Sequence, residues 1–233
     1  MTLRHDVYMA ACVAREFLVH PNALPTLSWL ATHPKLTNWD LGEPWWSPGA
    51  ISYLATHLTS GDRVWEWGSG GSTVWLMERG ARLTSVEEDA EWAAKVQQRC
   101  PRADVRFIGG ADSGVLRSRQ WERSEKFFDE YVGAVDEELD ESLDVVIADG
   151  RCRLDCIRHA VPKMRKSGLI VIDDTEQPFL SFGPYMHELD GWQVVKRGGF
   201  KRGSFFYTET SFLHRMSASE RAEFHEGDAN RRR

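Results

Sequence analysis

The run Arg63-Val64-Trp65-Glu66-Trp67-Gly68-Ser69-Gly70-Gly71-Ser72-Thr73-Val74-Trp75-Leu76-Met77-Glu78-Arg79-Gly80 decides how this chain is read. Arg63 to Trp67 is apolar and aromatic and follows Gly61-Asp62, the composition of a short strand after a turn. Gly68 to Gly71 is a glycine turn. Ser72 to Arg79 then has the makeup of a helix closed by Gly80. Strand, glycine turn and helix together form the opening unit of a nucleotide-type site in a parallel sheet. Glycines let a ligand approach the backbone, and the free amides of the helix start face it.

The spacing narrows the ligand. A dinucleotide loop reads Gly-x-Gly-x-x-Gly, and here Gly68 and Gly70 fit while Thr73 holds the third place. Glu66 offers a pyrophosphate nothing, whereas a ligand carrying an ammonium and a sulfonium gains from a carboxylate there. Further along, Arg82 to Val86 reads as a second strand ending in Glu87-Glu88-Asp89. Glu87 lies 19 residues after Gly68, the distance expected of an acid that accepts from both ribose hydroxyls. Asp89 suits the N-cap of a helix from Ala90 to Arg99. Asp104 to Ile108 is a third strand, followed by the turn Gly109-Gly110-Ala111-Asp112.

Outward from this unit the chain keeps the same alternation. Trp45-Trp46-Ser47-Pro48 starts a helix with Ser47 as N-cap and Pro48 at the first position, running to about Thr59. The aromatic residues between 121 and 132 suggest an amphipathic helix, and Asp136 to Glu141 an acidic solvated run. Leu143 to Ala148 is a fourth strand ending in Asp149-Gly150-Arg151. Cys152 to Lys166 reads as a helix that Pro162 kinks and Gly168 stops, and Leu169 to Ile172 as a fifth strand ending in Asp173-Asp174. Two closing strands follow, Trp192 to Lys196 and Ser204 to Thr208, with the basic loop Arg197 to Gly203 between them. Residues 1–44 read as an N-terminal helical extension, 45–215 as the ligand-binding domain, and 216–233 as a polar, disordered tail.

Composition bounds the function. The chain has 233 residues, 42% hydrophobic and 27% charged, enough for one α/β domain with a full core. A net charge of −6 argues against a general nucleic-acid or anionic-membrane binder. The start has no apolar leader and no run reaches membrane-spanning length, so the expected place is the cytoplasm. None of Cys12, Cys100, Cys152 and Cys156 forms Cys-x-x-Cys. Cys152, Cys156 and His159 share a helix face but have no fourth ligand nearby, and are read as packing residues with a surface histidine.

The ordered set Glu66-x-Gly68-x-Gly70-x-Ser72, Ser85-Val86-Glu87, Asp149-Gly150-Arg151 and Val171-Ile172-Asp173-Asp174 runs through most of the chain. It resembles the class I S-adenosylmethionine-dependent methyltransferases, of the bacterial type that acts on small molecules. The resemblance implies a Rossmann-like three-layer α/β sandwich, with a mostly parallel seven-stranded sheet whose last strand is antiparallel. It implies S-adenosylmethionine as the methyl donor, held by Glu66, Gly68, Ser69, Gly70, Ser72 and Glu87, with Asp112 near the adenine amino group. The acceptor it suggests is a small molecule methylated on oxygen or nitrogen, with Asp149, Arg151 and Asp173 as candidate catalytic residues. The Asp/Asn-Pro-Pro-aromatic signature of amino-group DNA and protein methyltransferases is absent at Asp149, which counts against a flipped base. Metal-dependent O-methyltransferases hold magnesium with an acid after strand four and an acid pair after strand five. Asp149, Asp173 and Asp174 match those places, while Arg151 offers a competing cation. The alternatives are a methyltransferase-fold protein that only binds or interacts, and a nicotinamide-dependent oxidoreductase.

Overall fold

The computed structural model describes residues 37–118, 125–176, 191–201 and 207–216. In chain order these form α1 (Asn38–Leu41), α2 (Pro48–Ala55), β1 (Arg63–Trp67), α3 (Gly71–Glu78), β2 (Arg82–Glu87), α4 (Ala90–Arg99) and β3 (Asp104–Phe107). They continue with α5 (Asp129–Gly133), β4 (Leu143–Ala148), α6 (Arg153–Ala160), β5 (Met164–Ile172), β6 (Trp192–Phe200) and β7 (Tyr207–Arg215). Residues 1–36 and 217–233 lie outside the described residues, as do Trp121, residues 202–203 of the basic loop and residues 204–206 of the second closing strand.

Side chains alternate along the central strands, and both faces are apolar, which forces a layer of helices on each side. Trp65 and Trp67 of β1, Val146 and Ala148 of β4, and Ile170 and Ile172 of β5 share one core with Phe128, Tyr131 and Ile157. Val64, Val145, Ile147, Leu169 and Val171 face the other way, onto Trp46, Leu54, Trp75 and Leu76. The sheet order is β3-β2-β1-β4-β5-β7-β6, parallel from β3 to β5, with β7 antiparallel to both its neighbours. This is the expected three-layer, seven-stranded arrangement. No described helix is long and apolar enough to cross a membrane.

Several element ends differ from the sequence reading. α6 stops at Ala160, and Val161–Lys163 is one 3-10 turn, because Pro162 has no amide to continue the ladder. β5 therefore starts at Met164, and Gly168 lies inside the strand rather than at a helix end. β6 runs on through Gly198-Gly199 to Phe200 and pairs Phe200 with Tyr207. These two glycines serve close approach: a Cβ on Gly198 would collide with the Tyr207 hydroxyl, and one on Gly199 would lie 3.1 Å from Ser47 Cβ. The helix expected between residues 121 and 132 is short, α5 followed by a 3-10 turn over Ala134–Glu137.

Candidate functional site

Parallel register brings the acid-tipped strand ends to one edge. Trp67 is level with both Val86 and Ala148, and Ala148 is level with Ile172. Backbone bonds carry this one step further: Gly68 N donates to Val86 O and Asp149 N to Trp67 O, each at 2.9 Å. Open parallel sheets bind ligands at this edge. A cavity of about 650 Å³ lies here, lined among others by the Gly68–Ser72 loop, Glu87, Glu88, Asp149, Arg151 and Lys201.

The glycine loop is built for close approach. Gly68 has φ +89, and a Cβ there would lie 2.8 Å from the Asp149 carbonyl oxygen. Thr73 fixes the turn into α3, since its hydroxyl accepts from Gly70 N at 2.8 Å and donates to Glu66 Oε2 at 2.6 Å. Glu66 also accepts from the Ser85 hydroxyl at 2.7 Å. Glu66 is fully buried and lies behind the loop, not on the cavity wall. This corrects the expectation of a direct ligand contact: its carboxylate braces the loop through Thr73. Burial raises its pKa, against the Ser72, Thr73 and Ser85 hydroxyls.

Glu87 does face the cavity. Its Oε1 accepts from the amides of Glu88 and Asp89 at 2.8 and 3.0 Å. Its Oε2 accepts from Ser69 N and Oγ at 2.9 and 3.1 Å. Burial pushes this carboxyl upward, with the amides opposing. Of the four donors, only the Ser69 hydroxyl swings free by a side-chain rotation, leaving the backbone in place. Asp112 is elsewhere: its exposed carboxylate pairs with Lys126, and it does not line the cavity.

Beyond the glycine loop lies a charged cluster. Asp149 Oδ2 accepts from Trp46 Nε1 at 2.9 Å, and Oδ1 pairs with Arg153 at 3.2 Å. Arg153, buried at the start of α6, also reaches Asp173 O at 2.6 Å and Asp174 Oδ2 at 3.0 Å. Lys201 Nζ lies 2.8 Å from Asp174 Oδ1 and 3.3 Å from Asp173 Oδ2. Asp173 is fully buried, accepts from Thr210 at 2.7 Å, and does not line the cavity. Asp174 has φ +56, which turns its carboxylate back toward the two cations.

Burial and then the Asp149 charge raise Asp173 to about 7. Burial also acts on Asp174, but Arg153 and Lys201 outweigh it and hold that carboxyl at about 2. Burial raises Asp149, with Arg153 opposing. Arg151 is not in the cluster. It pairs with Glu88 at 2.7 Å on the cavity wall, so the competing cation expected from the sequence is Arg153 joined by Lys201. The sequence reading singled out neither Arg153 nor Glu88 and placed Lys201 only within a basic loop, because Arg153 and Lys201 meet the acids only through folding.

A strap from Thr37 to Trp46 roofs the glycine loop. Thr37 and Asp40 cap α1 reciprocally, and Gly42 ends it in a left-handed turn. Trp39 packs against Trp92 with centroids 4.9 Å apart, and Trp92 Nε1 donates to Ser69 O at 2.8 Å. Trp45 and Trp46, neighbours ahead of α2, part ways. Trp45 is on the wall and half exposed, with Lys201 above its ring, while Trp46 is buried beneath Asp149. Cys152 and Cys156 are buried with thiols raised by burial, Cys152 to about 12, and His159 pairs with Asp136, as packing residues with a surface histidine do.

No protein-family model matches the sequence, and no curated protein matches it. Solved structures do match. A methyltransferase-like protein from Silicibacter pomeroyi is 21% identical, with a TM-score of 0.50 over 73% of this chain and 87% of that one. A methyltransferase from Geobacter sulfurreducens is 11% identical, with a TM-score of 0.51 over 83% of this chain and 90% of that one. TrmN from Thermus thermophilus is 13% identical, with a TM-score of 0.47 over 72% of this chain, which spans only 48% of that protein. Sheet order, crossover helices and the first two of these matches agree: the chain has the class I S-adenosylmethionine-dependent methyltransferase fold.

Proposed function

We propose that the protein transfers a methyl group from S-adenosylmethionine to an oxygen or nitrogen of a small molecule. The observation that carries this reading is the shared cavity, with bare glycine backbone on one wall and the Glu87 and Asp149 carboxylates on the same strand edge. The residues fit the cofactor. The Gly68–Ser72 backbone faces its amino-acid part. Glu87 takes the ribose, whose hydroxyl exchanges with the Ser69 hydroxyl at Oε2. When bound, the cofactor supplies an electrophilic sulfonium methyl.

The protein's own work is to align the acceptor and take its proton. Asp149 has the position for this. It lies on the cavity wall, is oriented by Trp46 and Arg153, and keeps a free lone pair on each oxygen. Arg151, locked to Glu88, shapes the wall beside Glu87. Asp173 acts behind Asp149, not on the acceptor. A small acceptor suits the roofed cavity, whose volume of about 650 Å³ falls in the range of small-molecule sites. The negative net charge suits a polyanion poorly.

The test is to incubate the protein and methyl-labelled S-adenosylmethionine with the small-molecule and RNA fractions of a bacterial extract. Label is expected in the small-molecule fraction alone. Label on RNA would overturn the acceptor class, and no transfer to either fraction would count against catalysis.

A further inference from the structure

Asp149, Asp173 and Asp174 bring carboxylate oxygens within 4.8 Å of one another, the set the sequence offered to magnesium. The space among them is taken. Arg153 bonds Asp149 and Asp174, and Lys201 bonds Asp173 and Asp174. Thr208 and Thr210 donate to Asp174 Oδ1 and Asp173 Oδ1 at 3.0 and 2.7 Å, filling further lone pairs. Three carboxyls therefore face two fixed cations. A magnesium ion needs about six oxygens at roughly 2.1 Å, and a divalent charge here would sit against an ammonium and a guanidinium. These residues do not fit a divalent ion.

We infer that the Lys201 ammonium is the resident cation of this site, standing where metal-dependent enzymes of similar layout would hold a divalent ion. Lys201 comes from the end of the β6 edge, far along the chain from the acids, and its side chain is 8% exposed and lines the cavity. Two of its three protons go to Asp173 and Asp174, and the Trp45 ring lies 4.6 Å away. The third proton is left for a ligand in the cavity. On the methyltransferase reading, that ligand is the acceptor's oxygen, held as Asp149 takes its proton. The acceptor class is then a hydroxyl compound, and the reaction needs no metal.

Manganese is the probe, titrated at pH 8 into the full chain and followed by the spectrum of the free ion. Wild type, Lys201→Gln and Lys201→Arg are compared. Wild type and Lys201→Arg are expected to bind none at this site, because both keep a cation there. Lys201→Gln leaves three acids against Arg153 alone and should bind the ion at least about tenfold more tightly than wild type. Manganese binding by wild type that Asp173→Asn and Asp174→Asn abolish would overturn the inference. So would a folded Lys201→Gln that binds no better than wild type. If Lys201→Gln does not fold, the wild-type titration decides alone. S-adenosylhomocysteine binding, measured on the same samples, separates the two readings. Its absence would sink the methyltransferase proposal and leave the manganese result to judge the cation.

Discussion

Asp173 and Asp174 are neighbours in sequence with opposite fates. Asp174 meets two cations and stays ionised, while Asp173, deeper and beside Asp149, keeps its proton to about pH 7. The signs of their linkage differ accordingly. Asp173 has a raised folded-state pKa, so its stabilising contribution is complete below about 4 and is lost as pH rises through about 7. Asp174 has a lowered one, so its contribution is present above about 4 and is lost as pH falls toward 2. Denaturant unfolding from pH 3 to 8 should therefore show wild type losing stability relative to Asp173→Asn between about pH 4 and 7. Asp174→Asn should be weaker than wild type near neutrality and converge with it in acid. Parallel curves for all three proteins would contradict this assignment of charges. The identities of these acids were legible in the sequence, as was Glu87 by its spacing from Gly68. Their partners were not, because Trp46 and Asp149 are 103 residues apart and Lys201 and Asp173 are 28 apart. Glu66 was misread as facing the ligand because alternation along β1 puts it beneath α3, where Thr73 intercepts it.

The strand, glycine turn and α3 form the element on which the rest depends, and they were readable locally because each boundary carries its own chemistry. The boundaries missed are those fixed by packing. α6 ends at Ala160, ahead of Pro162, and not at Gly168, since β5 needs Met164 in register with Leu143. β6 continues through two glycines since Tyr207 and Ser47 press against them. The strap over the glycine loop was equally invisible, yet Gly71 records it. A Cβ there would collide with Glu43 O and lie 2.9 Å from Asn38 O. Gly71→Ala should therefore push the Thr37–Trp46 strap off α3 and cost about 1–3 kcal/mol of stability. Hydrogen exchange should find faster exchange at Leu41, Gly42 and Glu43, whose amides now bond within the strap. Unchanged protection there would show that the strap does not rest on this contact.

At the scale of the whole molecule, the sheet order decides what meets what. β1 at the centre places the glycine loop between the ends of β2 and β4, so that Glu87 lies on one side and Asp149 on the other. β7 inserted antiparallel beside β5 returns the chain so that Thr208 and Thr210 face the acid pair, and the β6 end carries Lys201 into the cluster. The general architecture followed from the repeated strand-acid-helix order. The division of the cavity into a glycine half and a charged half needed the closing hairpin, whose basic stretch the sequence marked only as a loop. The account stands on the glycine half being a site for the methyl donor. Calorimetric titration with S-adenosylhomocysteine, with NAD as comparison, tests that most directly. One equivalent should bind to wild type, and NAD should not. Glu87→Ala should weaken binding by about tenfold or more, since a charged hydrogen-bonding partner is lost. Gly68→Val should abolish it, because its side chain enters the space beside the Asp149 carbonyl at a backbone angle valine resists. Folded wild-type protein that takes up no S-adenosylhomocysteine, or that takes up NAD instead, would contradict the account.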